Sequence, residues 1–439
     1  MKEIFKKIII QIIEMQARLV IGRYKPYIIA ITGNVGKTSA KEAIFSVVSS
    51  KYHTRKSQKS FNSEIGVPLT ILGCPTGWSN PFVWLRNIIK GVAVIIYSKN
   101  YPSHLVLEVG ADRPGDIKRI CSWLYPDTGV VTAIGETPVH IEFFPSKSEL
   151  VAEKSELIKA VPSNGMVILN VDDEEVANMR SCFGGKPIFY GFSERANVRA
   201  SHYSHVYGER GEIRGFSFRV DYNGSSVPFS FEGFLGRQHV YAVLAGVSVG
   251  VSQGMNMVAI QEALESYAAQ PGRVRILEGK NGSVIIDDSY NASPTSVKAV
   301  LDEMREIDTK GTKVAILGDM MDLGRHTHEE HRKVSLQAIE VCDRVFSVGA
   351  RARIIKEEVG RKDMVQHFSD SFEASRTLPL EPSEGDIILV KGSQAARMER
   401  IVESLLAEPE KAEELLVRQE KHWKMSDKAL IEAKGRGEV

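Results

Sequence analysis

Residues 28–39 carry the pattern of a loop that binds phosphate groups. An apolar run leads into a turn with two glycines, and Lys37 and Thr38 follow where a helix can begin. Glycines let backbone N–H groups approach phosphate oxygens, and the N-terminus of a helix adds partial positive charge. The lysine can reach the outer phosphates of a nucleotide, and the threonine hydroxyl can bind Mg²⁺. The pattern predicts a nucleotide site at Gly33, Asn34, Val35, Gly36, Lys37, Thr38 and Ser39.

The general phosphate-loop motif has a glycine five residues before its Gly-Lys pair, and Ile31 occupies that position here. A structural turn without phosphate binding is therefore an alternative. The apolar strand pattern before the turn and the helical pattern after it favour phosphate binding.

Three other residues occupy positions where a side chain can do chemistry. Glu108 ends an apolar run, His140 follows the run 129–134, and Lys154 lies in the helical pattern 147–160. Since the carboxyl ends of parallel strands meet at one edge of a sheet, Glu108 and His140 can face the same crevice. Each residue also has an ordinary alternative: a solvated strand end, a packed or capping histidine, and a surface lysine.

The shortened turn Thr-Gly-x-x-Gly-Lys-Thr resembles the phosphate loop of the Mur ligases, and the resemblance continues in order along the chain. Asp-Asp-Ser-Tyr-Asn at 287–291 and Leu-Gly-Asp-Met at 317–320 resemble the branch that adds D-alanyl-D-alanine. Ordered motifs from residue 26 to about 405 are hard to obtain by chance. Beyond the phosphate-loop turn, the matching segments are residues 60–70, 107–117, 287–294, 317–324 and 390–393.

This resemblance implies an amide-forming reaction driven by ATP. A carboxylate is a poor electrophile, so the family phosphorylates it with the γ-phosphate, and an amine then displaces phosphate from the acyl phosphate. Cations must offset the repulsion between the carboxylate and the triphosphate, so ATP and Mg²⁺ are the expected cofactors. The expected substrates are a peptidoglycan precursor peptide and D-alanyl-D-alanine.

The resemblance also assigns roles near the phosphate loop. Thr38, Glu108 and His140 match residues that bind Mg²⁺ in the family. Lys154 matches a lysine that several members carbamylate with carbon dioxide, which replaces an ammonium by an anionic oxygen ligand of the metal. We therefore expect Lys37, His140 and Lys154 to be catalytic.

In the C-terminal half, the family motifs place five residues at the substrates. Arg273, Asn291 and Asp319 match contacts to phosphate, adenine and ribose, while Lys391 and Ser393 match residues that face the peptide. For Arg273 and Ser393 an ordinary loop role is an equal alternative.

Two histidine patterns depart from the family or invite a metal site. His239 and Ala242 stand where the family usually has two asparagines, so part of its nucleotide contact is changed here. His326, His328 and His331 have a spacing that metal sites use. However, they follow a glycine-containing loop among charged residues, so we expect the solvated start of a helix.

Apolar β-branched runs alternate with helical patterns from residue 26 onward, which predicts a mostly parallel sheet. Residues 187–235 have the alternation and Asn-Gly turns of antiparallel hairpins. A second set of strands is expected over 284–287, 313–317, 344–347 and 386–390. We predict an α/β fold in three parts: an amphipathic helix at 1–25, a P-loop ATP-binding Mur ligase domain at 26–270 that contains the mostly parallel sheet and the hairpins, and a Rossmann-like C-terminal domain at 271–439.

Composition excludes some partners and favours a compartment. The chain has 56 Lys plus Arg and 55 Asp plus Glu, so no field over the whole surface attracts nucleic acid. Its four cysteines have no CxxC spacing, which fits a reducing cytoplasm. We expect a monomer in the cytoplasm, with the inner face of the membrane as an alternative location.

Two apolar segments, residues 1–24 and 78–101, are unusual. Members of this branch carry a domain for the uridine nucleotide before the phosphate loop, and only about twenty-five residues precede it here. We therefore expect the usual N-terminal domain to be absent, which leaves recognition of a UDP-linked substrate open. The first segment can pack on the next domain or lie on a membrane surface, and the two segments can pack together, grip a partner or rest on a membrane.

Three functions stay open from the sequence. The first is a Mur-type ligase that uses D-alanyl-D-alanine. The second is a ligase of the same chemistry with another acceptor, such as a folylpolyglutamate-type enzyme. The third is a nucleotide-binding partner protein without turnover, which the presence of Lys37, Thr38, Glu108, His140 and Lys154 disfavours.

Overall fold

The computed structural model describes residues 2–58, 61–77, 80–138, 140–358, 364–421 and 423–424, with side chains from residue 8 onward. The chain forms two compact units. The first comprises Met1–Tyr203, Ser217–Ser230 and Arg237–Ala268, and the second comprises Ser204–Phe216, Phe231–Gly236 and Ala269–Val439. The division into three domains stays a prediction.

The first sheet has the strand order β2-β3-β1-β4-β5-β6-β7-β8-β9 among the described residues. All neighbouring pairs from β2 to β7 are parallel. Strands β7, β8 and β9 follow one another through short turns, which only antiparallel neighbours allow. The predicted α/β class, with a mostly parallel sheet and hairpins, is confirmed. The strands are β1 Tyr27–Thr32, β2 Thr54–Lys56, β3 His104–Glu108, β4 Thr128–Val131, β5 Met166–Asn170, β6 Ile188–Gly191, β7 Val198–Tyr207, β8 Ile213–Tyr222 and β9 Ser225–Glu232.

Helices cover the parallel strands of this sheet, so β1 and β3 are buried almost throughout. One face of the N-terminal helix α1 packs into the same core through Ile9, Ile13, Ala17 and Val20, whose spacing is helical. The helices of the first unit are α1 Lys2–Tyr24, α2 Lys37–Ser49, α3 Gly66–Leu72, α4 Pro81–Tyr97, α5 Asp116–Cys121, α6 Lys147–Lys159, α7 Glu174–Asn178, α8 Arg237–Ser252 and α9 Met257–Leu264.

The second unit contains a sheet of order β10-β11-β15-β12-β13-β14 within the described ranges. Strand β10 is antiparallel to β11, and the other pairs are parallel. The four predicted strands are found to within one residue. The strands are β10 Arg275–Glu278, β11 Val284–Asp288, β12 Lys313–Gly318, β13 Arg344–Val348, β14 Val365–Phe368 and β15 Ile387–Lys391. The helices are α10 Pro294–Glu306, α11 Thr327–Val341, α12 Ile354–Glu358, α13 Ser371–Thr377, α14 Glu399–Leu405 and α15 Ala412–Leu415.

The segment after Pro409 is only partly within the described residues. A short helix, α15, is present, and its Ala412 and the following Leu416 are buried in the core of the second unit. Residues 425–439 lie outside the described part of the chain. Among the helices that are described, none combines the length and apolar character needed to cross a membrane.

Candidate active site

The phosphate-loop turn lies between β1 and α2, and its two glycines are required by its shape. Gly33 has φ 140° and Gly36 has φ 85°, both in the region that favours glycine. A Cβ atom on Gly33 would lie 2.0 Å from the Thr132 hydroxyl oxygen. That hydroxyl donates to the Val35 carbonyl at 2.7 Å, which fixes the turn against β4. The N–H groups of Asn34 and Val35 donate to the Ala133 carbonyl at 2.6 and 3.1 Å.

A hydroxyl and a carboxylate meet at the start of α2. Glu108 ends β3, which pairs in parallel with β1, and it is buried. Its Oε2 accepts a hydrogen bond of 3.2 Å from Thr38 Oγ1, and its Oε1 accepts one of 3.5 Å from Asn62 Nδ2. Ser39, in the same turn of α2, is buried. The structure therefore brings together two of the oxygen donors that were expected to bind Mg²⁺.

Two lysines converge on one carbonyl group of the turn. Lys37 Nζ donates to Gly33 O at 2.8 Å, and Lys154 Nζ donates to the same oxygen at 3.2 Å. Burial, followed by the Lys37 ammonium, lowers the pKa of Lys154 to about 7, while Glu153 and Asp112 act in the opposite direction. Lys154 is fully buried in α6, so its alternative assignment as a surface lysine is wrong.

His140 lies in a turn with a left-handed backbone, φ 67°. Its Nε2 is 3.7 Å from Asp112 Oδ1, in the loop that follows Glu108. Within the described ranges, no group of three His, Cys, Asp or Glu side chains is arranged to hold a metal ion. The metal role of His140 consequently stays a prediction.

Glu153 connects α6 to the loop after β3, and no motif in the sequence indicates this. Its buried carboxylate accepts hydrogen bonds from the N–H groups of Gly115, Ile117 and Lys118, at 2.8, 2.6 and 3.1 Å. A carboxylate at a helix N-terminus is stabilised by the orphan N–H groups there. The acidic neighbour of Lys154 therefore holds the start of α5 against α6.

In the second unit, the strands β11, β15 and β12 are parallel neighbours that end at one edge of the sheet. At that edge Lys391 Nζ donates to Asp288 Oδ2 at 2.5 Å and to the Asn291 carbonyl at 3.0 Å. Burial raises the pKa of Asp288, and Lys391 partly offsets this effect. Burial also raises the pKa of Asp287 to about 6. Lys391 is thus buried in an ion pair, and its predicted contact with the peptide stays untested.

The loop after β11 is held by two arginines. The Arg273 guanidinium lies 4.2 Å from the centre of the Tyr290 ring, and Arg418 donates to the Tyr290 carbonyl at 2.5 Å. Arg418 also pairs with the buried Glu399 at 2.9 Å. Asn291 Oδ1 accepts from its neighbouring N–H of Ala292. Arg273, just before β10, therefore stacks on the residue next to Asn291, which lies in the loop after β11, whereas Arg418 lies outside every motif.

Asp319 and Ser393 follow β12 and β15. One Asp319 oxygen accepts hydrogen bonds from the N–H groups of Arg351 and Ala352, at 2.9 and 2.8 Å. The Ser393 N–H donates to the Asp319 carbonyl at 2.9 Å, and its side chain is buried. The two predicted residues are therefore neighbours. The Asp319 carboxylate also holds the loop at Arg351 and Ala352.

Two histidines of the sequence patterns are buried. His331 accepts a hydrogen bond from the Met320 N–H at 3.0 Å, and its Nδ1 is 2.7 Å from the Thr327 carbonyl. Burial lowers its pKa, which fits a neutral ring. The expectation of a solvated residue is wrong for His331. His239 is also buried and lies 2.7 Å from the Tyr267 hydroxyl.

The α/β fold and the phosphate-loop turn are those expected of a nucleotide-dependent ligase, and comparisons with family models identify the family. The model of the Mur ligase middle domain matches residues 91–250, and the model described as Mur ligase, glutamate ligase domain matches residues 272–394. The chain belongs to the Mur ligase family.

Several of the similar proteins are described as D-alanyl-D-alanine ligases of that family. The UDP-N-acetylmuramoyl-tripeptide–D-alanyl-D-alanine ligase of Bacillus subtilis is 27% identical over 386 residues, which cover 87% of this chain and 76% of the relative. The ligase of the same name from Escherichia coli is 28% identical over 407 residues, which cover 90% of this chain and 82% of that relative. The crystal structure of the MurF ligase from Thermotoga maritima in complex with ADP superposes with a TM-score of 0.74, at 24% identity, over 92% of this chain and 84% of that one.

Proposed function

We propose that this chain is an ATP-dependent ligase that joins a carboxylate of a peptidoglycan precursor peptide to D-alanyl-D-alanine. The relatives named above are described as ligases for these substrates. The observation that carries the proposal is the geometry of the turn. Lys37 and Lys154 both donate hydrogen bonds to the Gly33 carbonyl, and the Thr38 hydroxyl donates one to Glu108. Phosphorylation of a carboxylate needs cations and oxygen ligands of this kind beside the triphosphate.

ATP fits the turn by shape and charge. Gly36 carries no side chain that would block a phosphate, and α2 begins directly after it. The Lys37 ammonium donates hydrogen bonds to two neutral carbonyl groups of its own turn, those of Gly33 and Asn34. A triphosphate is a stronger acceptor than these carbonyls, so the ammonium is expected to turn towards the outer phosphates.

Mg²⁺ fits the pair formed by Thr38 and Glu108, because hydroxyl and carboxylate oxygens are its usual protein ligands. Bound Mg²⁺ would neutralise charge on the phosphate oxygens. His140 is proposed as a further ligand on the family resemblance, and its contact with Asp112 provides an acidic neighbour that can orient the ring.

Carbon dioxide is the third proposed cofactor, bound as a carbamate on Lys154. A pKa of about 7 keeps much of this amine neutral at physiological pH, and the neutral amine is the form that reacts. The carbamate would carry negative charge beside Lys37 and would offer oxygen atoms to Mg²⁺.

The substrate carboxylate would attack the γ-phosphorus of ATP and release ADP, and the amine of the dipeptide would then displace phosphate from the acyl phosphate. In the second unit, Arg273, Asn291 and Asp319 are proposed to contact the nucleotide, and Lys391 and Ser393 the peptide. Their support is that Asn291, Asp319, Lys391 and Ser393 lie at or after the ends of β11, β12 and β15, which meet at one edge of the sheet. Arg273 precedes β10, whose first residue pairs with Asp287 at the same edge.

Two alternatives use the same turn. A ligase with another acceptor or amine donor would keep all these residues, and a partner protein without turnover would bind nucleotide and release no ADP. A cytoplasmic location is supported by the four free cysteines and by the need for ATP. The monomeric state stays a prediction, and peripheral contact with the inner face of the membrane is part of the proposal.

The test is ADP release with a panel of acceptors and amine donors. The acceptors should include the UDP-linked tripeptide, the free tripeptide and a folate, and the donors D-alanyl-D-alanine, L-alanyl-L-alanine and glutamate. We expect ADP release that needs a peptide acceptor and D-alanyl-D-alanine together. Release with a folate and glutamate would favour the second function, and nucleotide binding without release under any pair would favour the third.

A further inference from the structure

The exposed apolar residues of this chain are concentrated on two helices. Of the fourteen large apolar side chains that are exposed in the described part of the chain, nine lie on α1 and α4. Single exposed apolar residues are normal on any protein, whereas a cluster of this size marks an interaction surface. We name this cluster the α1–α4 face; its members are Ile8, Met15, Leu19, Phe82, Leu85, Ile89, Val92, Ile96 and Tyr97.

The two helices are fixed against each other, so their exposed residues form one surface. Gln16 Nε2 donates to the Ile88 carbonyl at 2.9 Å, and the Tyr24 hydroxyl donates to the Val94 carbonyl at 2.7 Å. Gly91 allows the helices to approach, because a Cβ atom there would lie 2.2 Å from Gln16 Oε1. The inner face of α1 is anchored in the core of the first unit.

The exposed residues of α4 follow one stripe along the helix. Phe82, Leu85, Ile89, Val92 and Ile96 are spaced by three and four residues, which places them on one side. The helix has 17 residues and is therefore about 25 Å long. Phe82 is 80% exposed at one end, and Tyr97 is 79% exposed at the other. Tyrosine is favoured where a membrane meets water, because its ring is apolar and its hydroxyl is polar.

The charged residues of α4 are all positive. No acidic residue occurs in the sequence between Glu64 and Glu108, whereas Arg86, Lys90 and Lys99 occur there. Arg86 and Lys90 are exposed on α4, next to Leu85 and Ile89. A helix that combines an apolar stripe with lysine and arginine is typical of attachment to an anionic lipid surface.

We propose that the α1–α4 face docks on the surface of an anionic lipid bilayer, with α4 lying in the plane of the headgroups. The apolar stripe would enter the boundary between headgroups and acyl chains, while Arg86 and Lys90 contact lipid phosphates. A second copy of the chain is a poorer occupant, because a twofold contact places the same cations against each other. The attachment does not depend on the proposed ligase activity.

Vesicle flotation of the full chain without nucleotide tests this proposal. We expect binding to vesicles of phosphatidylcholine with phosphatidylglycerol, weaker binding to phosphatidylcholine alone, and loss of binding as salt is raised. Leu85→Glu should reduce binding by roughly tenfold or more, since a buried apolar side chain is lost and an anion is added. Arg86→Gln and Lys90→Gln should each reduce binding by about fivefold.

The matched control is Leu336→Glu, because Leu336 is a leucine on α11 with 50% exposure, against 56% for Leu85. Thermal unfolding of each variant establishes that the fold is kept, and ADP release in solution should be unchanged by both leucine substitutions. The proposal is overturned if the wild-type chain does not float with anionic vesicles, or if Leu336→Glu weakens binding as much as Leu85→Glu. Self-association that Leu85→Glu abolishes, without vesicle binding, would assign the face to a second copy instead.

Discussion

Lys154 is expected to react with carbon dioxide and form a carbamate at neutral pH. Its surroundings set the pH range in which the amine is neutral and can react. Burial, followed by the Lys37 ammonium, lowers its pKa from 10.5 to about 7. At pH 7, about half of the Lys154 side chains are then neutral, against about one in three thousand for an ordinary lysine. Since only the neutral amine reacts, Lys154 is favoured roughly a thousandfold over exposed lysines.

The pH dependence of carbamate formation follows from the same value. Bicarbonate and a neutral amine give a carbamate and water without net uptake or release of a proton. At fixed bicarbonate the carbamate fraction therefore follows the neutral amine. We expect the half-saturating bicarbonate concentration to be constant above about pH 7.5 and to rise about tenfold for each pH unit below about 6.5. An ordinary lysine would show the tenfold dependence from about pH 6 to about pH 9.

Carbon NMR of the nucleotide-free chain in labelled bicarbonate measures this uptake directly. Lys154→Ala should remove the carbamate signal. The control is Lys159→Ala on the same helix, because Lys159 is exposed and a hydrogen bond from its ammonium to Glu156 raises its pKa. Lys159→Ala should leave the signal unchanged.

Activity gives an independent measurement. Loss of an anionic group beside the transferred phosphate should lower ADP release by about 10²- to 10³-fold in Lys154→Ala, and added acetate or formate should restore part of it. The reasoning is refuted if Lys154→Ala keeps full activity, or if the carbamate signal persists in that variant. Absence of any carbamate signal from the wild-type chain at neutral pH would refute it equally.

Three further predictions concern the turn and the buried charges. Lys37→Ala should abolish ADP release at an unchanged unfolding temperature, since the lysine supplies charge and little packing; release at the wild-type rate by a folded variant would remove the turn from the mechanism. Glu153→Ala should lower the free energy of unfolding by about 2 to 3 kcal/mol in urea titrations, because three N–H groups lose a charged acceptor, and Glu153→Gln should lose less; equal losses would contradict a role for the charge. Lys391→Met should cost about 3 to 5 kcal/mol by leaving Asp288 buried without its cation, and adding Asp288→Asn should recover much of this; two additive losses would show that the pair is not coupled.

The longer elements of the fold were predictable because their signals are local. Apolar runs bounded by turn residues predicted four of the six described strands of the second sheet to within one residue. The short strands β2, β10 and β14 have three or four residues each, too few to show a period. Strand β2 is defined by pairing with β3, about fifty residues further along the chain, and β14 by pairing with β13, about twenty residues before it.

The misjudged His331 shows how a helical period can be overlooked. His331, Val334, Ser335 and Ala338 are all buried and share the inner face of α11. Their spacing of three and four residues predicts a buried face, whereas the neighbouring histidines and charged residues predict an exposed one. By contrast, the sequence does not predict that Glu153 binds the start of α5, because its N–H partners lie 35 to 38 residues away and no local pattern links them.

If Lys154 is carbamylated as proposed, the charges around the phosphate-loop turn account for a lysine at position 154 rather than an acidic residue. Two ammonium groups that donate to the Gly33 carbonyl repel each other, and this repulsion contributes to the lowered pKa of Lys154. A glutamate on α6 would carry its charge without carbon dioxide, and its shorter side chain would end before the turn. Under the proposed carbamylation, a lysine would span that distance as a neutral amine and would become an anion only on reaction with carbon dioxide. The side chain would then be buried without a permanent charge and would still present oxygen atoms to a metal beside Lys37.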